Sequence, residues 1–493
     1  MTLTGLQYQS MRLKFRGLLS SPFWFVSEAE LDSFIGQISI DATGTVTAAQ
    51  QNQADTLLQN ALSAPAYTVQ SGDVALFLAQ LKTAAPIVVA ALTVERYRQL
   101  KNTLTGALSL AGVRSEAQML GYISGYLGLP YYLGPVAGRA RQASSKGSGG
   151  QVFMCRTFHF ARTDITTIQV AWPNYFGTSE AGTGGNLTVN ASIEYPAGTF
   201  TQLKFSGSAT GVAADGATLM SDSLNISIPN GAKFFCRFLL TPVGGIAYYN
   251  GPGPQYLPGG DAIHYPGTDQ TMGGTVVDSG IGIGIFPCAI LGQTNKKTLT
   301  LMGDSRVHGL LDTADAAGDV GELERPLAPN YGVINIGVSG DTANNFNLGG
   351  NSANRRALAA YASHRVGNWG INDLVGGASA ATLEYNIAAI RNSAPFTGKP
   401  FYLVTVAPNT SGAWTLANGS DQTPAANTAQ RLLYNTWVRN NALGVDGFFD
   451  TVGPSNLAAD ETRWNADGTA AKYTSDGLHE TAFANKQYVF AGP

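Results

Sequence analysis

The sequence predicts a multidomain protein: a helix-rich N-terminal region over residues 1–140, a jelly-roll-like β-sandwich over 151–293, and an α/β domain over 294–493. Three observations predict it. From Val152 to about Pro287 apolar residues recur at period two, the mark of half-buried strands. From Lys297 onward short apolar runs alternate with helix-period segments, which predicts a parallel sheet covered by helices on both faces. Between the first two regions, Gln142-Ala143-Ser144-Ser145-Lys146-Gly147-Ser148-Gly149-Gly150 has the composition of a flexible connector. At 493 residues the chain also exceeds what one hydrophobic core organises.

Composition narrows the function classes. A hydrophobic content of 44% with 13% charged residues describes a globular chain. The net charge of −3, without a Lys/Arg cluster, argues against nucleic acid as a partner. Cys155, Cys236 and Cys288 form no metal-ligand spacing, and their odd count leaves at least one thiol unpaired within the chain. The longest apolar runs, Gly17 to Val26 and Ala85 to Val94, are too short for a membrane span. Arg12, Lys14 and Arg16 precede the first of them, but Phe23-Trp24-Phe25 follows where a small-residue cleavage site would stand, so no signal peptide is expected.

Taken in order, Ala48 to Ala64 places Ala54, Leu57, Leu58 and Leu62 at helical spacing, and Ser71 to Ala84 and Leu92 to Leu110 continue in that manner. Tyr122, Tyr126, Tyr131 and Tyr132 suit packing against neighbouring domains or subunits, or else a binding face. Strands are expected at Ile165 to Trp172, Asn186 to Tyr195, Leu224 to Ile228 and Lys233 to Leu240, with Tyr248 to Thr275 as an extended loop. Such a domain either binds carbohydrate or packs against its catalytic neighbour. Beyond it, strands are expected at Thr298 to Met302, Gly332 to Val338, His364 to Trp369, Phe401 to Ala407 and Gly447 to Thr451. Helices are expected at Ala353 to Ala362, Ala381 to Arg391, Pro424 to Asn441 and Thr481 to Phe490.

Ligands of such sheets bind outside the carboxyl ends of the strands, and the chemistry-bearing residues of this chain fall there. The first strand passes through Gly303-Asp304-Ser305 into a helix, either an ordinary turn with a serine near the helix cap or a raised nucleophile. A serine hydroxyl needs a base, usually a histidine oriented by a carboxylate. Of the five histidines, His159 and His264 belong to the sandwich or its loops and His364 opens a strand. His308 lies three residues past Ser305, fit to flank a pocket and badly placed to take the serine proton. His479 remains, with Asp476 three residues before it; the bland alternative is a capping Asp and an exposed His. Gly340, after the second strand, and Asn372, after the third, could supply a backbone N–H and an amide to an oxyanion, or simply form turns.

Residues 297–493 resemble the SGNH (GDSL-type) hydrolase superfamily, whose four blocks appear in order as Gly303-Asp304-Ser305, Gly340, Gly370-Ile371-Asn372-Asp373 and Asp476-Gly477-Leu478-His479. The resemblance implies a flavodoxin-like α/β/α three-layer sandwich with Ser305 as nucleophile, His479 as base and Asp476 as its orienting carboxylate. It implies an oxyanion hole made of the Ser305 and Gly340 N–H groups and the Asn372 side chain, with His308 and Trp369 as candidate pocket residues. No metal or organic cofactor is required. Asp304 and Asp373 read as scaffold, and Glu480 stands where many members have proline, a change expected to touch the helix start more than the chemistry. The expected activity is ester hydrolysis, foremost removal of O-acetyl groups from a polysaccharide. The alternatives are lipase or thioesterase chemistry, or a structural or adhesion role on a virion. A glycan esterase without a signal peptide suits a phage tail, with residues 1–140 as the attachment or oligomerisation part. The expected location is therefore extracellular or virion-associated, with the cytoplasm as the alternative.

Overall fold

Six parallel strands form the sheet on which the candidate site is built. In chain order they are β1 (Ala140–Arg141), β2 (Thr298–Gly303), β3 (Gly332–Asn335), β4 (His364–Asn368), β5 (Phe401–Val404) and β6 (Gly447–Phe449), and in space they run β1-β3-β2-β4-β5-β6. The computed structural model describes residues 132–146, 150–244, 248–249, 251–252, 260–451, 455–457 and 460–490; the helices expected within residues 1–131 lie outside them. All that follows concerns the compact unit Gly134–Pro493.

The five longer strands fall where the apolar runs predict, because a sheet covered on both faces buries consecutive residues: every residue of β2 is buried. The helices are α1 (Ser305–His308), α2 (Gly321–Leu327), α3 (Ala343–Asn347), α4 (Ala353–Ala359), α5 (Ile371–Val375), α6 (Ala380–Asn392), α7 (Thr428–Arg439) and α8 (Ala482–Asn485). Helix α2 contacts α1 and α8, whereas α6 contacts α3, α5 and α7. Val307, Leu323 and Leu327 of the first group share one apolar cluster with Leu299, Leu301, Val333, Val366, Val404 and Phe449 of the strands. Each such side chain contributes roughly 2 kcal/mol by leaving water. After β2 the chain turns to β3 on one side and then crosses to β4 on the other, so the strand order reverses at the β2–β4 seam, where doubly wound sheets open a crevice.

The last helix is shorter than the Thr481 to Phe490 expectation. Thr481 caps it, but beyond Asn485 the chain turns so that Tyr488 and Phe490 stack on each other and Phe490 packs on Phe449, 4.7 Å between ring centroids. Aromatic burial outweighs helix propensity there.

Upstream, two antiparallel sheets share one apolar core. Ile165–Pro173 pairs with Thr218–Met220, Leu224–Ile228 and Ala289–Thr294; Lys233–Val243 lies between Asn186–Glu194 and Phe153–Phe160. Trp172, Val170 and Ile290 of the first sheet cluster with Phe238, Cys236 and Val189 of the second. Two expectations need correction. The segment Tyr248 to Thr275 is not wholly loop, since Ala262–His264 adds a strand beside Met154 to Arg156. The expected connector begins inside the fold: Gln142 and Ala143 are buried, the Gln142 N–H bonds the Asn335 carbonyl at 2.9 Å, and Ser145–Lys146 pairs with Tyr248–Tyr249. Small polar residues look the same in a linker and in a short buried segment whose backbone is fully paired.

Candidate active site

The geometry begins at the end of β2. Gly303 has φ +152°, and a Cβ there would collide with the Asn368 carbonyl of neighbouring β4, so a side chain would force the two strand ends apart. Asp304 then caps α1, its carboxylate accepting the Arg306 N–H at 3.0 Å, and Ser305 opens the helix. The site's second arm is the loop Thr474 to His479. Asp476 accepts from the N–H groups of Leu478 and His479, both at 2.8 Å, which folds the loop so that the two side chains meet. Gly477, at φ +77°, presses its Cα against Thr410 and Trp414, and its carbonyl accepts from Thr410 N (2.9 Å) and Trp464 Nε1 (2.8 Å).

These arms bring together residues 174 positions apart. Ser305 Oγ lies 2.8 Å from His479 Nε2, and His479 Nδ1 lies 2.7 Å from Asp476 Oδ2. Ser305 and His479 are 5% and 7% exposed, while the Asp476 side chain is 39% exposed. Burial alone would raise the Asp476 carboxyl, but the His479 ring and the two backbone N–H groups bonded to it hold it at about 2. It is therefore a carboxylate across the neutral range, fit to fix the imidazole so that Nε2 faces the hydroxyl.

The two loops expected to supply oxyanion donors follow β3 and β4. Gly340 is exposed at φ +81° with open space on its Cα, and among the described residues neither its N–H nor that of Ser305 donates a hydrogen bond within the protein. Asn372, on the first turn of α5, donates one amide hydrogen to the Asp341 carbonyl at 2.9 Å, which ties the loop after β4 to the loop after β3. Its second amide hydrogen is available. Asp373 spans the same gap from below, accepting from Ala343 N (3.0 Å) and Asn344 N (3.3 Å) at the start of α3. Asp341 is in turn gripped by Arg355 at 2.6 Å and by Asn345 at 2.8 Å.

The other sequence candidates lie elsewhere. Trp369 is 0% exposed, packed on Phe346, and His308 is 1% exposed with Nδ1 3.2 Å from Ser339 Oγ. Neither offers surface to a pocket, so both are corrected to core positions that support the loops. His159 is a neutral core histidine bonded to Gly138 O and Thr157, with burial driving it down to about 3, and His264 bonds Val277 O.

Sequence reasoning missed Arg306 and gave Glu480 only a place near a helix start. Arg306 donates to the carbonyls of Leu478 (2.8 Å), Ala407 (3.2 Å) and Pro408 (3.0 Å), and lies 3.9 Å from Glu480. Glu480 directly precedes Thr481, the N-cap of α8, and it also forms a bridge with Thr474 and is buried. Each directly follows a motif residue, Ser305 or His479, and that adjacency was the available signal. Among the described residues no group of side chains could hold a metal ion, and no helix is long and apolar enough to cross a membrane.

No family model and no curated protein matches the sequence. Solved structures do match. One is a GDSL-like lipase from Bacteroides thetaiotaomicron, with 20% identity and a TM-score of 0.28 over 38% of this chain and 82% of that one. A catalytic mutant of an acetylxylan esterase from Geobacillus stearothermophilus matches with 16% identity and a TM-score of 0.27, over 38% and 89%. A member of the lipolytic G-D-S-L family from Veillonella parvula matches with 14% identity and a TM-score of 0.28, over 39% and 93%. These proteins are similar to this chain over about two fifths of its length, and the chemistry of the site is read from its own geometry.

Proposed function

We propose that the protein is a serine ester hydrolase. The observation that carries this reading is the unbroken hydrogen-bond chain from Ser305 through His479 to Asp476 at the seam where the sheet order reverses. In the proposed reaction His479 Nε2 takes the Ser305 proton as Oγ attacks the ester carbonyl carbon. The negative charge moves to the carbonyl oxygen, which receives hydrogen bonds from the Ser305 and Gly340 N–H groups and the Asn372 amide. His479 then gives its proton to the departing alcohol. Water, deprotonated by the same imidazole, attacks the acyl-serine and frees the acid. Asp476 stays ionised and stabilises the imidazolium that forms twice per cycle. Replacing Ser305 with Ala should lower p-nitrophenyl acetate turnover by roughly three orders of magnitude or more, with the melting temperature held. Turnover at the wild-type rate would rule the assignment out.

The substrate we assign is an O-acetylated polysaccharide. Support comes from the openness of the site: Asp476 and Gly340 reach the surface, so a polymer can present an ester to Ser305 without threading through a tunnel. Acetate released from acetylated polysaccharide, with little activity on long-chain p-nitrophenyl esters, is the expected outcome. The reverse preference would make the protein a lipase or thioesterase.

A further inference from the structure

A cavity of about 370 Å³ lies within the size range of small-ligand sites. One wall is the last turn of α5, Leu374 and Val375, whose first turn carries Asn372. Asn409, Ala425, Asn427 and Gln430 also line the cavity. Asn409 precedes Thr410, whose N–H bonds the Gly477 carbonyl of the His479 loop, and the Asn409 carbonyl accepts from Ala425 N. The lining thus includes the helix that carries Asn372 and a segment bonded to the loop of His479.

Its chemistry is specific. No residue lining it carries a charge. Two amide residues, Asn409 and Gln430, line it together with the apolar Leu374, Val375 and Ala425. Gln430 uses its oxygen to accept from Ala380 N at 2.8 Å, which leaves its NH2 group to donate. A hydrocarbon chain would strip water from the amides and return no hydrogen bond. A pyranose ring offers both hydroxyls that donate and accept and a C–H face for Leu374 and Val375.

We infer that this cavity is a glycosyl subsite, which holds a neutral sugar unit of the substrate through Asn409 and Gln430 while the ester lies at Ser305. The inference rests on the esterase reading for its role and deepens it by naming the sugar class: neutral rather than uronic, since no cation lines the wall.

The test separates the two readings. The full-length Ser305→Ala protein is titrated by calorimetry with neutral xylo- and manno-oligosaccharides and with galacturonic acid oligomers. Neutral oligomers should bind, and acidic ones at least tenfold more weakly. Adding Gln430→Glu, which keeps the acceptor for Ala380 N but removes the donor, or Asn409→Ala, should weaken neutral-sugar binding about tenfold for the loss of a bond worth roughly 1.4 kcal/mol. No binding of any neutral oligomer, or binding indifferent to both substitutions in proteins that melt like the parent, overturns the subsite. So does a catalytically active chain that prefers p-nitrophenyl octanoate to the acetate, because the cavity then takes an acyl chain. Absence of all ester turnover by the active chain would instead count against the esterase reading, with the titration still deciding the subsite.

Discussion

Arg306 shows how much of the site's order depends on a residue that does no chemistry. Its guanidinium ties the His479 loop, through Leu478 O, to the turn after β5, through Ala407 O and Pro408 O, from one residue beyond Ser305. A planar five-donor fork can hold three carbonyls, whereas a lysine ammonium cannot reproduce the pattern. Arg306→Lys should therefore lower kcat on p-nitrophenyl acetate about tenfold or more while KM moves less than threefold. Arg306→Met should also cost about 3–5 kcal/mol of stability in urea titrations by leaving Glu480 buried beside an apolar neighbour. A change in KM alone would mean that Arg306 serves substrate binding. Asp304 gives a pH signature of its own. Burial pushes its carboxyl up to about 7, and its Oδ2 has no partner among the described residues. An unfolded Asp titrates near 3.9. Between roughly pH 4 and 7 the folded state thus binds the extra proton, so this group's contribution to stability falls as pH rises through that window. Asp304→Asn removes the titration. The stability of the variant relative to wild type should therefore climb by a few kcal/mol from pH 4.5 to 7.5, and a difference that does not vary with pH would show that the carboxyl is ionised throughout. The candidates Ser305, His479, Asp476 and Asn372 stood out in the sequence because a nucleophile, base and donors would follow strand ends and only five histidines compete, and the structure brings the first three within hydrogen-bond distance of one another in the order Ser305–His479–Asp476. Arg306 did not, and Glu480 stood out only as a departure near a helix start, because the burial of a charge beside a motif is not written in the sequence.

Helix α4 illustrates the next scale, where an element is completed by side chains from far along the chain. Its N-cap residue Ser352 makes no capping bond. The carboxylate of Glu180, from the two-sheet region, accepts from the N–H groups of Asn354 (2.7 Å) and Arg355 (2.9 Å) and from the Arg355 side chain. A carboxylate at this position satisfies orphan N–H groups and meets the positive end of the helix dipole. The Thr178 carbonyl adds bonds to Arg355 and Asn345, the two residues that grip Asp341, and Asp341 O is the acceptor that orients Asn372. The loop 178–180 therefore braces the oxyanion loops from outside. Glu180→Ala should lower stability by about 3 kcal/mol and kcat by several-fold or more, measured by urea unfolding and initial rates. Full activity in a destabilised variant would confine Glu180 to a stability role. No sequence pattern announces such a cap, because the partners are 174 positions apart and neither segment has the periodicity of a longer element.

At the scale of the whole unit, the boundaries suggested by composition do not coincide with the units of folding. The α/β sheet takes its edge strand β1 from residues that lie between Tyr132–Pro135 and Phe153–Phe160, strands of the two antiparallel sheets, and the arginines beside it fasten both parts. The Arg139 N–H bonds Glu324 of α2 at 3.0 Å, while its guanidinium donates to Phe158 O at 2.6 Å and pairs with Asp261, all buried. Arg141 pairs with the same Glu324 at 3.0 Å, and Arg162 of the two-sheet region reaches Asp319 at 3.3 Å. Removing residues before 151 would leave Glu324 and Asp261 buried without their cations and β3 with an open edge. Each orphaned buried charge costs about 3–5 kcal/mol, and domains are stable by only about 5–15 kcal/mol in all. An unpaired edge adds a template for aggregation. A fragment of residues 132–493 should therefore remain soluble and melt cooperatively, whereas fragments of 151–493 and 294–493 should aggregate or melt without a sharp transition, read by size exclusion and calorimetry. Soluble, cooperatively folding 294–493 would show that the α/β part folds alone and that the arginine contacts contribute little. The two-residue strand responsible was beyond reach of periodicity, which needs several repeats to register, and its pairing with β3 depends on a contact across nearly two hundred residues.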